Sequence, residues 1–507
     1  MYKRILTLLL VALLAILVFV YIFINKEDNE PLAEPARTDL KGTSFESLDL
    51  PEGYDLRQFE GMTLRFIVEN NRHATILLNK SQEFSDLTGI NIKIIAVDFD
   101  TLVQKINLDF ISKAGQYQIV YVDPYQTLNR FHDCFEVLNA YNEDTAMPHI
   151  KGFMDDFSDF QTETISCFGD RSNIYTIPFD STTMILFYRK DIFEKYADQF
   201  YADMGYDWMP GSKDFTWERY IEVAKWIDEH VKDDEVAYGC GAMAQEHNSI
   251  FCEFSNILSA CGGDYFSDNN IGTLGLRSFR DINVMSDSFM KALDIYKRVV
   301  DAAAPESVNW NWTDSANAFR SGEIAMMLNW DENYPYLNDS ENSKVTGNVG
   351  CAILPYGDAK SANIFGGSGI GINKFAAEEE KKAAWLYIVW ATSQEMQREI
   401  LINPEGGNLP SRLSVYEEPD IKSKLEDTDE ADQMLNIDLI KTVLEAWEPE
   451  NLYLRPKVSN FYHVEQVLNK QLHDFVSDKN SDSHQVSQDI YQQLTGILAD
   501  SISGGRR

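Results

Sequence analysis

The side chains best suited to do chemistry in this chain are aromatic residues set beside carboxylates and amides. Tyr121-Val122-Asp123-Pro124-Tyr125, Phe179-Asp180-Ser181-Thr182 and Asn329-Trp330-Asp331-Glu332 all have this form. A flat apolar ring stacks on the CH face of a sugar while a neighbouring carboxylate or amide meets its hydroxyls, a combination that holds a small polar molecule. Any single Trp or Tyr of this kind is as readily an ordinary core residue. Catalytic patterns fit less well. The run Gly366-Gly367-Ser368-Gly369-Ile370-Gly371 misses the dinucleotide-binding spacing because residue 372 is Ile, and misses a nucleophile elbow because residue 370 is Ile. Close approach of backbone to a ligand or another strand explains it better. The eight histidines form no H-E-x-x-H pair and the six cysteines no CxxC pair, so neither a metal nor a cofactor is expected. Carboxylate pairs for sugar hydrolysis can be drawn at will from 80 acidic residues, so no chosen pair is informative.

The elements that must position these residues follow from periodicity. Leu64 to Val68 reads as a strand, Ala74 to Leu87 as a helix, and Ile90, Ile92, Ile94 and Ala96 as a second strand. Leu102, Ile106 and Phe110 recur every four residues, and Gln118 to Val122 is a third strand. Strand-helix alternation of this kind predicts a parallel α/β sheet. Open sheets bind ligands beyond their strand ends, where the aromatic-acidic clusters fall. A second region follows Met184 to Tyr188, with helices predicted from Trp217, behind an N-cap at Thr216, and over Ile250 to Ala260. Strands are predicted again at Ile324 to Leu328, Val349 to Leu354 and Gly369 to Ile372, then one long helix over Ala377 to Ile402.

The chain has 507 residues and a net charge of −36, which argues against nucleic-acid partners, since phosphate binding rests on clustered Lys and Arg. A cationic ligand is compatible with that charge, but acidity spread over a large body more often serves solubility. Near the start, Lys3-Arg4 precedes an uncharged run from Ile5 to Ile24, long enough to cross a bilayer. Glu27, Asp28 and Glu30 follow it, so the positive-inside rule places the remainder outside the cytoplasmic membrane. Residues 1–24 therefore read as an anchor or uncleaved signal, and 25–60, with Pro31, Pro35 and Pro51, as a tether. No cysteine precedes Cys134, so a lipid-modified amino-terminal cysteine is not the expected anchor. Cys134 with Cys167, or Cys240 with a neighbour, could pair in that compartment, and free buried thiols are equally expected.

The order of segments resembles the extracellular, or periplasmic, solute-binding proteins of ABC importers, in the family 1 sugar-binding group that includes maltodextrin-binding protein. The residues that carry the resemblance are Phe84 to Ile90, Ile177-Pro178, Leu186 to Tyr188, Lys190 to Phe193 and Phe215 to Trp217. Gly262 to Asp264, Phe319 to Met326, Gly366-Gly367, Asn408 to Pro410 and Arg455-Pro456 complete the series. The resemblance implies a two-lobed α/β fold of the type II-like periplasmic-binding-protein kind behind an N-terminal transmembrane helix. Lobe one would comprise 61–179 and 353–400, and lobe two 180–352 and 401–500. Ligand contacts are then implied at Glu69, Asn71 and Arg72, at Asp123, Pro124 and Tyr125, and at the first crossing, Phe179, Asp180, Ser181 and Thr182. Further contacts are implied at Asn329, Trp330, Asp331 and Glu332 of lobe two, at Gly366, Gly367 and Ser368 of the return crossing, and at Arg455. The implied protein is a receptor rather than an enzyme, delivering a mono- or oligosaccharide to the transmembrane subunits of an ABC permease. A ligand-sensing subunit for a membrane signalling partner is the alternative, and an extracellular carbohydrate-active enzyme a less favoured one.

Overall fold

In a computed structural model, which describes residues 40–231, 234–267, 273–277, 281–403, 409–426 and 436–504, the apolar stretch after Gly61 becomes strand β1 (Thr63–Glu69). Asn71 then caps helix α1 (Arg72–Thr88), its side chain accepting the Ala74 amide at 3.0 Å, and Gly89, at φ 72°, ends it in the left-handed conformation. Strand β2 (Asn91–Val97) follows, and Asp98 caps α2 (Phe99–Ser112) through the Thr101 amide at 2.9 Å. Strand β3 (Ile119–Val122) is wholly buried, as are β4 (Thr176–Asp180) and β5 (Met184–Arg189). Next come α3 (Trp217–His230), α4 (Asn248–Ala260), α5 (Asp287–Ala302) and α6 (Trp312–Arg320). Strands β6 (Met326–Trp330), β7 (Val349–Ala352), β8 (Asn363–Ile364) and β9 (Ser368–Ile372) precede α7 (Glu378–Ala391) and α8 (Gln394–Ile402). Strand β10 (Leu452–Tyr453) leads to the closing helices α9 (Phe461–Ser477) and α10 (Ser483–Gly504).

Two sheets centre the two lobes. The first has the order β2-β1-β3-β9-β4, the second β6-β5-β7, and β8 pairs separately with β10. The all-parallel expectation holds for β1 with β2 and β3, but β9 enters antiparallel to both β3 and β4. The isoleucines of β9 alternate identically in either direction, so periodicity could not reveal the reversal. Its glycines make the insertion possible: a Cβ at Gly369 would lie 2.5 Å from Thr176 Oγ1 on β4. The second sheet is antiparallel throughout.

Only Ser181, Thr182 and Thr183 separate β4 from β5. This outward crossing runs beside the return one, with Thr183 bridged to Phe365 and the Gly366 amide donating to Thr182 O at 2.8 Å. An irregularity between Pro178 and Asp180 sets Asp180 opposite Ser368, and such a bulge re-aims a side chain at a strand end.

Aromatic packing supports both lobes. Under lobe one Phe84 lies 5.1 Å from Tyr387 and 5.0 Å from Trp390, centroid to centroid, and in lobe two Phe200 stacks on Trp208 at 4.4 Å. Burial of such a ring contributes about 1.5–3 kcal/mol. The long helix expected over 377–402 is two helices, because Ser393 caps the second by accepting the Met396 amide at 3.2 Å. Its apolar face continues across the break, which hid the stop. All six cysteines are free.

From Ser44 onward the chain forms one compact unit, and Leu40 to Thr43, in a separate unit, make a turn closed by Thr43 N to Leu40 O at 3.1 Å. The membrane span expected at residues 5–24, the start of the tether and Asn408 lie outside the described residues. Among the described residues no helix is long and apolar enough to cross a membrane.

Candidate functional site

Glu69 at the end of β1, Tyr121 and Asp123 at the end of β3, Asp180 at the end of β4 and Ser368 at the start of β9 meet at one edge of the first sheet, because β9 runs opposite to the others. Asp180 is the hub. Its Oδ2 accepts from Tyr121 Oη at 2.6 Å and Asn71 Nδ2 at 3.2 Å, while Oδ1 accepts from the Thr182 amide at 2.9 Å and from the Thr182 hydroxyl. Asp123 accepts the amides of Tyr125 and Gln126 at 2.8 and 2.6 Å, and its other oxygen pairs with Arg455 Nη2 at 3.3 Å. Both ends of that pair are 3% exposed. The guanidinium also lies 4.0 Å from the centroid of the Tyr125 ring, so Tyr125 supports Arg455 from beneath.

The opposite wall comes from lobe two. Trp330 ends β6 and is pressed against the return crossing, where a Cβ on Gly366 would lie 2.7 Å from the indole Cζ3. Asn329 Nδ2 donates to Trp312 O at 2.9 Å, fixing the start of α6, which Asn311 caps through the Thr313 amide at 2.8 Å. Trp312 stands 6.5 Å from Trp330 and 4.5 Å from the His247 ring. The lobes touch at the mouth: Phe99 of α2 meets Trp312 edge-on at 6.3 Å, and His247 Nε2 lies 3.8 Å from Asp100 Oδ2. Floor, wall and mouth surround a cavity of about 490 Å³, within the range of small-molecule sites.

Its electrostatics are dominated by carboxylates. Burial pushes Glu69 above the usual range, with the charges of Asp180 and Asp123 adding to the effect. Glu332 is pushed well up by burial and then by Glu69, Asp180 and Asp331, against a smaller opposing effect of Arg72. Asp331, whose Oδ1 accepts the Thr183 amide at 2.7 Å, is raised to about 8, mainly by burial. Burial lowers His247, which disfavours the imidazolium.

Of the residues singled out from sequence, Glu69, Asp123, Asp180, Thr182, Trp330, Glu332, Gly366, Ser368 and Arg455 border the cavity. Asn71 and Arg72 line an adjoining recess shared with Glu332 and Asn333. Tyr125, Phe179, Ser181, Asn329 and Asp331 are buried behind the lining, with Pro124 and Gly367. Their roles are supportive: Ser181 meets Ser411 at 2.8 Å, and Phe179 packs on His73 at 5.2 Å. Sequence reasoning passed over Phe99, His247, Asn248, Asn311 and Trp312. Asp98-Phe99-Asp100 carries the same aromatic-acidic signal at a strand end and could have been found. Trp312 and His247 lie at helix starts with no such mark.

Residues 81–427 match the model of a bacterial extracellular solute-binding protein family. A probable amino-acid ABC transporter periplasmic-binding protein of Sinorhizobium fredii is 19% identical over 72% of this chain and 76% of its own length. A mannitol-binding protein of Pseudomonas aeruginosa is 22% identical over 70% and 75%. Among solved structures, maltose-bound MalE3 of T. maritima superposes with a TM-score of 0.69 at 23% identity, over 86% of this chain and 100% of its own. A ribitol complex of an ABC transporter solute-binding protein from Agrobacterium radiobacter gives 0.68 at 21%, over 87% and 99%. The likeness in fold extends through both lobes and the crossings between them, and the chain belongs to the bacterial extracellular solute-binding proteins.

Proposed function

We propose that this protein is an extracytoplasmic receptor that captures a carbohydrate-like solute, of mono- or oligosaccharide size, between its lobes and delivers it to an ABC import permease. The observation that carries this reading is the cavity, which takes Asp123 and Asp180 from one lobe's strand ends and Trp330 and Glu332 from the other's. A solute touching both walls favours the closed form, and that differential affinity is what drives closure. The likeness to maltose-, ribitol- and mannitol-binding proteins supports a polyhydroxylated solute. The uncharged run at residues 5–24 would hold the receptor at the outer membrane face, and a tether of roughly 35 residues would raise its effective concentration at the permease.

The test is a thermal-shift screen of the full-length protein against sugars, polyols, amines and peptides, followed by calorimetry on Trp330→Ala. Any solute that binds only the folded state raises the melting temperature. Trp330→Ala is expected to weaken that solute by about 2 kcal/mol or more, as for a buried aromatic anchor. Unchanged affinity in the variant, or no stabilisation by any member of the panel, would overturn the reading.

A further inference from the structure

Carboxylates greatly outnumber cations around the cleft. Glu69, Asp98, Asp100, Asp123, Asp180 and Glu332 border the cavity, and Arg455 is the one Lys or Arg among its lining residues. Three of the acids have structural partners. Asp123 is paired with Arg455, Asp98 caps α2, and Asp180 is satisfied by Tyr121, Asn71 and Thr182. Asp100 faces His247, whose imidazolium is disfavoured by burial. Glu69 and Glu332 remain, one from each lobe: Tyr121 hydrogen-bonds Glu69, and the charge of Glu69 raises the proton affinity of Glu332. Glu332 Oε2 is shut off from solvent and has no hydrogen-bond partner among the described residues. A buried, unpartnered carboxylate oxygen on a cavity wall costs free energy until something fills the place opposite it.

We infer that the solute carries a protonated amine, seated between Glu69 of lobe one and Glu332 of lobe two, with its carbon frame against Trp330 and Trp312. This rests on the receptor reading above and narrows its substrate class. In the closed cleft, burial and the neighbouring acids oppose ionisation of these two carboxyls; a protonated amine seated between them stabilises both as carboxylates and so favours the closed, liganded form. The positive group thus becomes the part of the solute that rewards closure. The indole faces suit the same ligand, since an ammonium or its adjoining CH groups are attracted by the ring's negative face. A metal ion fits less well, because among the described residues no group of three or more His, Cys, Asp and Glu side chains is arranged to ligate one. An aminated sugar and an aliphatic polyamine share the required chemistry.

Calorimetry on the full-length protein would use glucosamine, spermidine, N-acetylglucosamine, maltose and mannitol. At least one of the two amines is expected to bind, and N-acetylglucosamine, which keeps the ring but lacks the charge, to bind at least about 10-fold more weakly than glucosamine if glucosamine is the ligand. Glu332→Gln is expected to weaken the bound amine by about 10-fold or more, with Glu69→Gln as the second variant should the first fail to fold. Binding of glucosamine identifies an aminated sugar, and binding of spermidine alone a polyamine. Binding of maltose or mannitol with neither amine bound overturns the inference and leaves the receptor reading standing. Amine binding unaffected by Glu332→Gln and Glu69→Gln also overturns it. If no probe binds, both fall.

Discussion

The floor of the cleft and its lobe-two wall handle acidity in opposite ways. On the floor, Asp123 and Asp180 have their oxygens occupied by amides, hydroxyls and Arg455. On the wall, Asp331 keeps one strong acceptor contact and Glu332 leaves an oxygen unmatched beside two indole rings. The floor's acids, and Asp331 behind the wall, are thereby built into the fold, whereas Glu332 on the wall is held ready for something absent from the protein itself. Counting carboxylates around a cavity is therefore a poor guide to its ligand; which ones have partners matters more.

That contrast can be broken most decisively at Asp123. Asp123→Ala would leave Arg455 charged and buried and remove the cap on the turn after Pro124, so a loss of about 3–5 kcal/mol is expected in equilibrium urea unfolding. A loss near zero would mean that the floor is not structural.

A smaller effect is expected from pH on the wall. Asp331 is raised to about 8, first by burial and then by the charge of Asp180, against roughly 3.9 in an unfolded chain. Between those values the folded state binds the extra proton, so its stabilising contribution is complete below about pH 4 and is lost as pH rises through 8. The amplitude should be of order 2 kcal/mol after relaxation around the ionised form, and Asp331→Asn should flatten that part of the stability profile. An unchanged profile in the variant would show that the wall acid is no different from those on the floor.

The smallest effect is expected where floor and wall meet. Gly366→Ala would set a methyl group 2.7 Å from Trp330 Cζ3, forcing the indole to shift. A cost of about 1 kcal/mol and altered Trp fluorescence are expected. Wild-type stability and an unchanged spectrum would mean that the crossing does not position the ring.

Much of this site was legible because strand ends announce themselves. Tyr121 with Asp123, and Trp330 with Glu332, each close a short apolar run, and the sheet carries such positions to a common edge. Trp312 and His247 were not legible, because each lies at the first turn of a helix whose docking is decided by tertiary contacts such as Asn329 to Trp312 O. The direction of β9 and the break at Ser393 escaped for a shared reason: an apolar pattern records which face is buried and carries little about direction or continuity. Arg455 could be suggested only through resemblance, since its partner Asp123 is more than three hundred residues away in sequence.

The meeting of Phe99 with Trp312 at the mouth has a kinetic consequence. An edge-on aromatic pair adds roughly 0.5–1.5 kcal/mol beyond its buried area. Present only when the lobes touch, it would slow reopening by roughly two- to tenfold. Residence time is thus set partly by a pair of rings at the mouth, so a cargo could be held long enough for hand-over without being bound more tightly at the floor.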